Sequence, residues 1–118
     1  MRRLLVVEDN ALNQKLLARF LSSLGYEVLV AGSTEEADRL LVGDPPALVL
    51  LDVSLPGEDG LTWLRRRRAG GDTWPAMAVT AHALPGDREA ALAAGCIDYL
   101  AKPIGLKALR AAVEALAG

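Results

Sequence analysis

A chain of 118 residues is the size of one domain, and its 52% hydrophobic and 24% charged content is that of a folded protein, not a disordered one. A formal net charge of −2 gives no electrostatic reason to expect nucleic acid as a direct partner. A single cysteine, Cys96, excludes an internal disulfide and a cysteine-rich metal site, and it suits a reducing compartment.

The chain opens with MRRLLVVEDN, whose apolar run is too short for a signal segment or a membrane span. It reads as a strand, LLVVE (4–8), and the protein is expected to be cytoplasmic with no direct membrane contact. The segment ALNQKLLARFLSSLG then has helical periodicity. Leu12, Leu16, Leu17, Phe20, Leu21 and Leu24 are assigned to one face, and Gly25 to the residue just past the helix end. EVLVA (27–31) is the second strand, and STEEADRLLVG follows as a helix with Ser33 and Glu36 spaced as a capping box. ALVLL (47–51) is the third strand, followed by the helical GLTWLRRRRAGG with Leu61 and Leu64 inward. AMAVT (76–80) precedes the alanine-rich helix GDREAALAAG, which stops at Gly95. IDYLA (97–101) and LKALRAAVEALAG close the series, with Leu106, Leu109, Val113 and Leu116 on one helical face.

Strand and helix alternate five times with no linker or solenoid repeat, so residues 1–118 are read as a single domain. Near-continuous apolar runs in the first, third and fourth strands suit a parallel sheet covered on both faces. Right-handed crossovers then give an α/β, doubly wound, five-stranded parallel sheet of flavodoxin-like type, with order 2-1-3-4-5 and five helices.

In such sheets the ligand site lies beyond the carboxyl ends of the strands. Glu8 and Asp9 follow the first strand, Asp52 the third, Thr80 ends the fourth, and Lys102 with Pro103 follows the fifth. Asp52 alone would pass for a turn or capping residue, and Glu8 and Asp9 for caps of the first helix. Their collection at one sheet edge argues for chemistry. Three converging carboxyl groups call for a raised pKa or a cation. An all-oxygen donor set favours a hard ion, Mg2+ (or Mn2+), over Zn2+. Such an ion, a lysine, a hydroxyl and a carboxylate suit a phosphoryl group, with the carboxylate as nucleophile.

The motifs VVEDN (6–10), LLDVSLPGEDG (50–60), AVTAHA (78–83) and AAGCIDYLAKPI (93–104) resemble the receiver domain of bacterial response regulators along the whole chain. EDNALNQ together with TAHALPGDREAALAAG is most similar to receivers of hybrid histidine kinases and phosphorelays. The resemblance implies a phosphoacceptor, Asp52, that takes its phosphoryl group from a histidine kinase or histidine phosphotransfer protein in two-component signal transduction. It implies Mg2+ held by Asp9, Asp52 and the backbone carbonyl of Ser54, with Glu8 acting mostly through water. Lys102 would contact the phosphoryl group, Thr80 would bond to it, Tyr99 would turn inward, and the Lys102–Pro103 peptide would be cis. Ser54 and His82 would tune the lifetime of the phosphoryl group. Output would pass through the fourth helix, fifth strand and fifth helix, a face that also allows a phosphorylation-dependent dimer. The domain would be no enzyme beyond its own phosphorylation and dephosphorylation. With no output domain in the sequence, it is read as a stand-alone shuttle or a piece of a longer hybrid kinase.

Other readings fit less well. A non-phosphorylated interaction module on the same fold would have lost an acid, the threonine or the lysine. An aspartyl-phosphate hydrolase needs a second carboxylate two positions past the nucleophile, where Ser54 stands. A flavin carrier needs a phosphate-cradling loop where the chain has the acidic EDNALNQ. RRRR (65–68) is read as a solvated face complementing a helix dipole, Trp63 and Trp74 as local packing, and Cys96 as a small buried hydrophobe.

Overall fold

Five aliphatic runs become five parallel strands, and the burial of each follows its composition. The computed structural model describes residues 2–55, 57–80, 85–102 and 105–117. Its elements are β1 (Arg3–Val7), α1 (Ala11–Ser23), β2 (Glu27–Ala31), α2 (Thr34–Leu40), β3 (Leu48–Asp52), α3 (Gly60–Ala69), β4 (Ala76–Thr80), α4 (Asp87–Ala94), β5 (Asp98–Ala101) and α5 (Leu106–Ala117). The sheet has the order β2-β1-β3-β4-β5, as the sequence predicts. β3 and β4 are buried at every residue, while the edge strands β2 and β5 are only partly covered.

Alternation along the strands makes two cores. Leu5, Val7, Val49, Leu51 and Ala78 face α2, α3 and α4, meeting Ala37, Trp63, Leu64 and Ala91. Leu4, Val6, Leu48, Leu50 and Met77 face α1 and α5, meeting Leu17, Leu21, Leu109 and Val113. A one-residue slip of β3 would exchange these two sets and turn Asp52 away from its neighbours. Register is held instead by parallel pairing of Val7 with Leu51 and of Asp52 with Val79.

The apolar face of α1 is narrower than its leucines suggest. Leu17 and Leu21 are buried, but Leu12 and Leu16 are 65% and 56% exposed. At about 100° per residue, that pair lies a quarter-turn or more from the Leu17–Leu21–Leu24 stripe and clears the sheet. Leu106 shares a face with Leu109 and Val113, yet it is the first residue of α5 and is 52% exposed. Gly25 takes the left-handed conformation (φ 97°) just past the end of α1, as its position predicts. The α2 capping box is shifted on one side. Ser33 Oγ accepts from Glu36 N at 3.2 Å, but Glu36 Oε1 accepts from Gly32 N at 2.8 Å, one residue before the cap.

The four arginines are not simply a solvated face. Arg66 forms a two-point pair with Glu58 and reaches Asp38 at 3.0 Å, and Arg67 pairs with Asp72 at 2.6 Å. Arg68 donates to Asp72 O and to Gly95 O, and its guanidinium lies 4.7 Å from the Trp74 ring centroid. Trp63 and Trp74 do pack locally, stacked with centroids 5.8 Å apart, and Trp63 Nε1 donates to Asp38 Oδ1 at 2.8 Å. The run therefore fastens α3 to α2, to its own following loop and to the end of α4. Cys96 is buried, and burial pushes its thiol up to about 11, which leaves it inert. Among the described residues no helix is long and apolar enough to cross a membrane.

Candidate functional site

Asp52 is the last residue of β3, so the strand carries its carboxyl group to the sheet's C-terminal edge while only 5% of it is exposed. Both oxygens are engaged. Oδ1 accepts from Ser54 N at 3.0 Å and Oδ2 from Lys102 Nζ at 3.1 Å. Lys102 arrives there because its backbone N–H continues the β5 ladder onto Thr80 O at 2.6 Å. The same ammonium donates to Glu8 Oε1 at 2.9 Å. Glu8 follows β1, with its N–H on Ala31 O, and is 2% exposed.

One lysine thus bridges two buried carboxyl groups. Burial, then the hydrogen bond with Glu8, pushes Asp52 up to about 6 against the pull of Ser54 N–H and Lys102. Burial also acts upward on Glu8. There the hydrogen bonds from Lys102, Asp52 and the Asn10 amide outweigh it and hold the carboxyl well below the usual range. The two carboxyl groups oppose each other's ionisation, so Asp52 holds its proton to a higher pH than an ordinary aspartate does. Lys102 itself is shifted upward: its burial acts downward, but its bonds to Glu8 and Asp52 prevail, so it stays charged.

Asp9 stands beside this pair in the open. Glu8, Asp9 and Asp52 each offer a carboxylate oxygen, and these lie within 4.8 Å of one another. That spread of hard oxygen donors, one exposed and two buried, fits a Mg2+-type ion with room for water. Thr80 is 3% exposed and lines a cavity of about 170 Å3 together with Val53, Ser54, Leu61, Asp87, Ala90 and Tyr99. Tyr99 is partly buried on the wall of this cavity. Its phenol is shifted upward by desolvation and by the nearby carboxylates of Asp87 and Glu89. Glu8, Asp9, Asp52 and Lys102, singled out from the sequence, do converge, with Ser54 on the Asp52 carboxyl. Thr80 and Tyr99 lie against the adjoining cavity. His82 and Pro103, and with them the conformation of the Lys102–Pro103 peptide, lie outside the described residues.

Three residues of this neighbourhood escaped the sequence reading. Asn13 and Gln14 donate from α1 to the Glu8 side chain and carbonyl. A Cβ at Gly60 would stand 2.5 Å from Asp52 O, so glycine is required for α3 to start against β3. The available signal was the polar first turn EDNALNQ, too polar at positions 13 and 14 for a turn with only a cap to satisfy.

The sheet order and the acidic carboxyl edge are those of a receiver domain. The chain matches the response regulator receiver domain over residues 4–114 and belongs to that family. It is 43% identical over 114 residues to the transcriptional regulatory protein PmrA of Pectobacterium parmentieri, covering 97% of this chain and 51% of that protein. The chain therefore spans about half the length of this curated relative. Among solved structures it resembles the receiver domain of a sensor histidine kinase from Pseudomonas aeruginosa PAO1, described with magnesium coordinated in the active-site cleft. That likeness has a TM-score of 0.88, 39% identity and coverage of 99% and 98% of the two chains. The receiver domain of Francisella response regulator 1452 has a TM-score of 0.92 at 23% identity, covers 98% of this chain and 96% of that one, and speaks for the fold alone.

Proposed function

We propose that this receiver domain accepts a phosphoryl group on Asp52 from a phosphohistidine of a histidine kinase or histidine phosphotransfer protein. The observation that carries the reading is the Asp52 carboxyl itself. It is buried at the sheet edge, its two oxygens are separately fixed by Ser54 N–H and Lys102, and two further acids stand within reach. An Asp52 oxygen forms the bond to phosphorus as the phosphorus–nitrogen bond of the donor breaks, and the electron pair returns to the imidazole. Lys102 then exchanges a carboxylate partner for a phosphoryl oxygen, and the Thr80 hydroxyl and Tyr99 ring rearrange around the new group. Asp9, Asp52 and the Ser54 carbonyl would hold Mg2+ (or Mn2+), with Glu8 behind them. The ion, when bound, offsets charge on the carboxylates and on the transferred oxygens.

The modified state would bias the face formed by α4, β5 and α5, which would pass the signal on and support a phosphorylation-dependent dimer. Retention of both acids, the threonine and the lysine speaks against a non-phosphorylated interaction module. We place the domain in the cytoplasm, with its only chemistry its own phosphorylation and dephosphorylation.

Intact-protein mass after incubation with acetyl phosphate, with Mg2+ or with excess EDTA, tests the reading alongside Asp52→Asn. A single Mg2+-dependent phosphoryl adduct, absent in the variant, is expected. No adduct, together with no change in tryptophan fluorescence on adding beryllofluoride, would refute it.

A further inference from the structure

The first turn of α1 carries more donors than its cap requires. Asn10 caps the helix, accepting at Oδ1 from Asn13 N at 3.0 Å. Three further donors turn back onto Glu8. Asn10 N reaches Oε2 at 3.2 Å, Asn13 Nδ2 reaches Oε1 at 3.3 Å, and Gln14 Nε2 reaches the Glu8 carbonyl. The oxygen that accepts from Asn13 is the one that accepts from Lys102 at 2.9 Å. Lys102 in turn holds Asp52 at 3.1 Å. A continuous line of hydrogen bonds therefore runs from Asn13 through Glu8 and Lys102 to the phosphoacceptor.

We propose that Asn13 is a positioning residue for the chemistry at Asp52: its amide sets how the Lys102 ammonium is divided between Glu8 and Asp52. The proposal rests on the phosphoacceptor reading of Asp52. A carboxylate buried as deeply as Glu8 needs its lone pairs satisfied, and each missing donor costs free energy. Asn13 meets part of that need without adding charge. Remove its amide, and the ammonium becomes the sole side-chain donor described for Oε1. Lys102 is then drawn toward Glu8, away from Asp52 and from an arriving phosphoryl oxygen. The substitution Asn13→Ala is clean, because the cap uses the Asn13 backbone N–H and survives it.

The test compares wild type, Asn13→Ala and Leu12→Ala, the last an exposed residue of the same turn. Two quantities are read: the Lys102 side-chain ammonium resonance in 15N-labelled metal-free protein, and the rate of phosphorylation by acetyl phosphate at saturating Mg2+. In Asn13→Ala the resonance should move and the saturated rate should fall roughly tenfold, the lower end of the effect of losing an outer partner of a site ligand. Leu12→Ala should leave both unchanged, and a role of Asn13 in stability alone would move neither. An unmoved resonance, an unchanged rate, or equal effects in Leu12→Ala would each overturn the proposal. If the wild type takes up no phosphoryl group and beryllofluoride leaves its tryptophan fluorescence unchanged, the phosphoacceptor reading fails. The resonance alone then decides for or against the hold of Asn13 on Lys102.

Discussion

In metal-free buffer the protein should lose stability as the pH rises from about 4 to about 7, and Asp52→Asn should abolish much of that loss. Asp52 is 5% exposed, and burial together with Glu8 raises its carboxyl from 3.8 to about 6. Its folded pKa lies above its unfolded one, so the folded state binds the proton more tightly. The resulting stability is fully present below the unfolded pKa and is lost as the pH climbs through about 6. At about 1.4 kcal/mol per tenfold, the full difference is on the order of 3 kcal/mol. The pull of Lys102 is already contained in that value, and roughly 2 kcal/mol of the difference falls between pH 4.5 and 7.5. Glu8 acts with the opposite sign, since its depressed pKa gives stability above its unfolded pKa that is lost only in stronger acid. Asp38 behaves likewise: burial acts upward on it, but Trp63 and Arg66 keep its pKa low. The informative quantity is therefore the difference between wild type and Asp52→Asn in urea unfolding with EDTA, at about pH 4.5, 6 and 7.5. Adding Mg2+ at the highest pH should recover about 2.7 kcal/mol at a hundredfold excess over its Kd. A wild-type-minus-variant difference that stays flat across the window would refute the upward shift of the buried Asp52 carboxyl.

Two substitutions test the frame around the site. Gly60→Ala would set a Cβ 2.5 Å from the Asp52 carbonyl oxygen, so either α3 or β3 must shift. Urea unfolding should show a loss of about 1–3 kcal/mol, and phosphorylation should slow, because either shift disturbs the contact that seats Asp52. Trp63→Phe keeps the stack against Trp74 but removes the donor to Asp38 Oδ1, leaving Arg67 at 3.4 Å on that oxygen. A loss of about 1–2 kcal/mol is expected by urea unfolding, with phosphorylation unchanged. A slowed phosphorylation would show instead that α3 is coupled to the site through this contact.

Much of the architecture was legible in the chain because it depends on local pattern. Aliphatic runs of strand length, separated by amphipathic helices closed by Gly25 and Gly95, leave few topologies once crossovers must be right-handed. In that topology the strand ends meet at one edge, so Glu8, Asp9, Asp52, Thr80 and Lys102 could be assembled from spacing alone. β2 and β4 keep the bounds read from the sequence, while β3 takes in Asp52 and β1 stops before Glu8. Spacing could not say which acid would face the lysine. Glu8 turned inward onto Lys102 and Asp9 outward, and this depends on donors that α1 brings from Asn13 and Gln14. Nor could periodicity separate Leu12 and Leu16 from Leu17 and Leu21, because the width of a buried stripe is set by the sheet it meets. The arginine run looked solvated until α2, the loop after α3 and the end of α4 supplied Asp38, Asp72 and Gly95 as partners. Local sequence determined which elements form and in what order they stack. Tertiary structure decided burial, charge pairing and the sharing of one ammonium between two carboxylates, because each of these is a property of groups far apart in the chain and close in space.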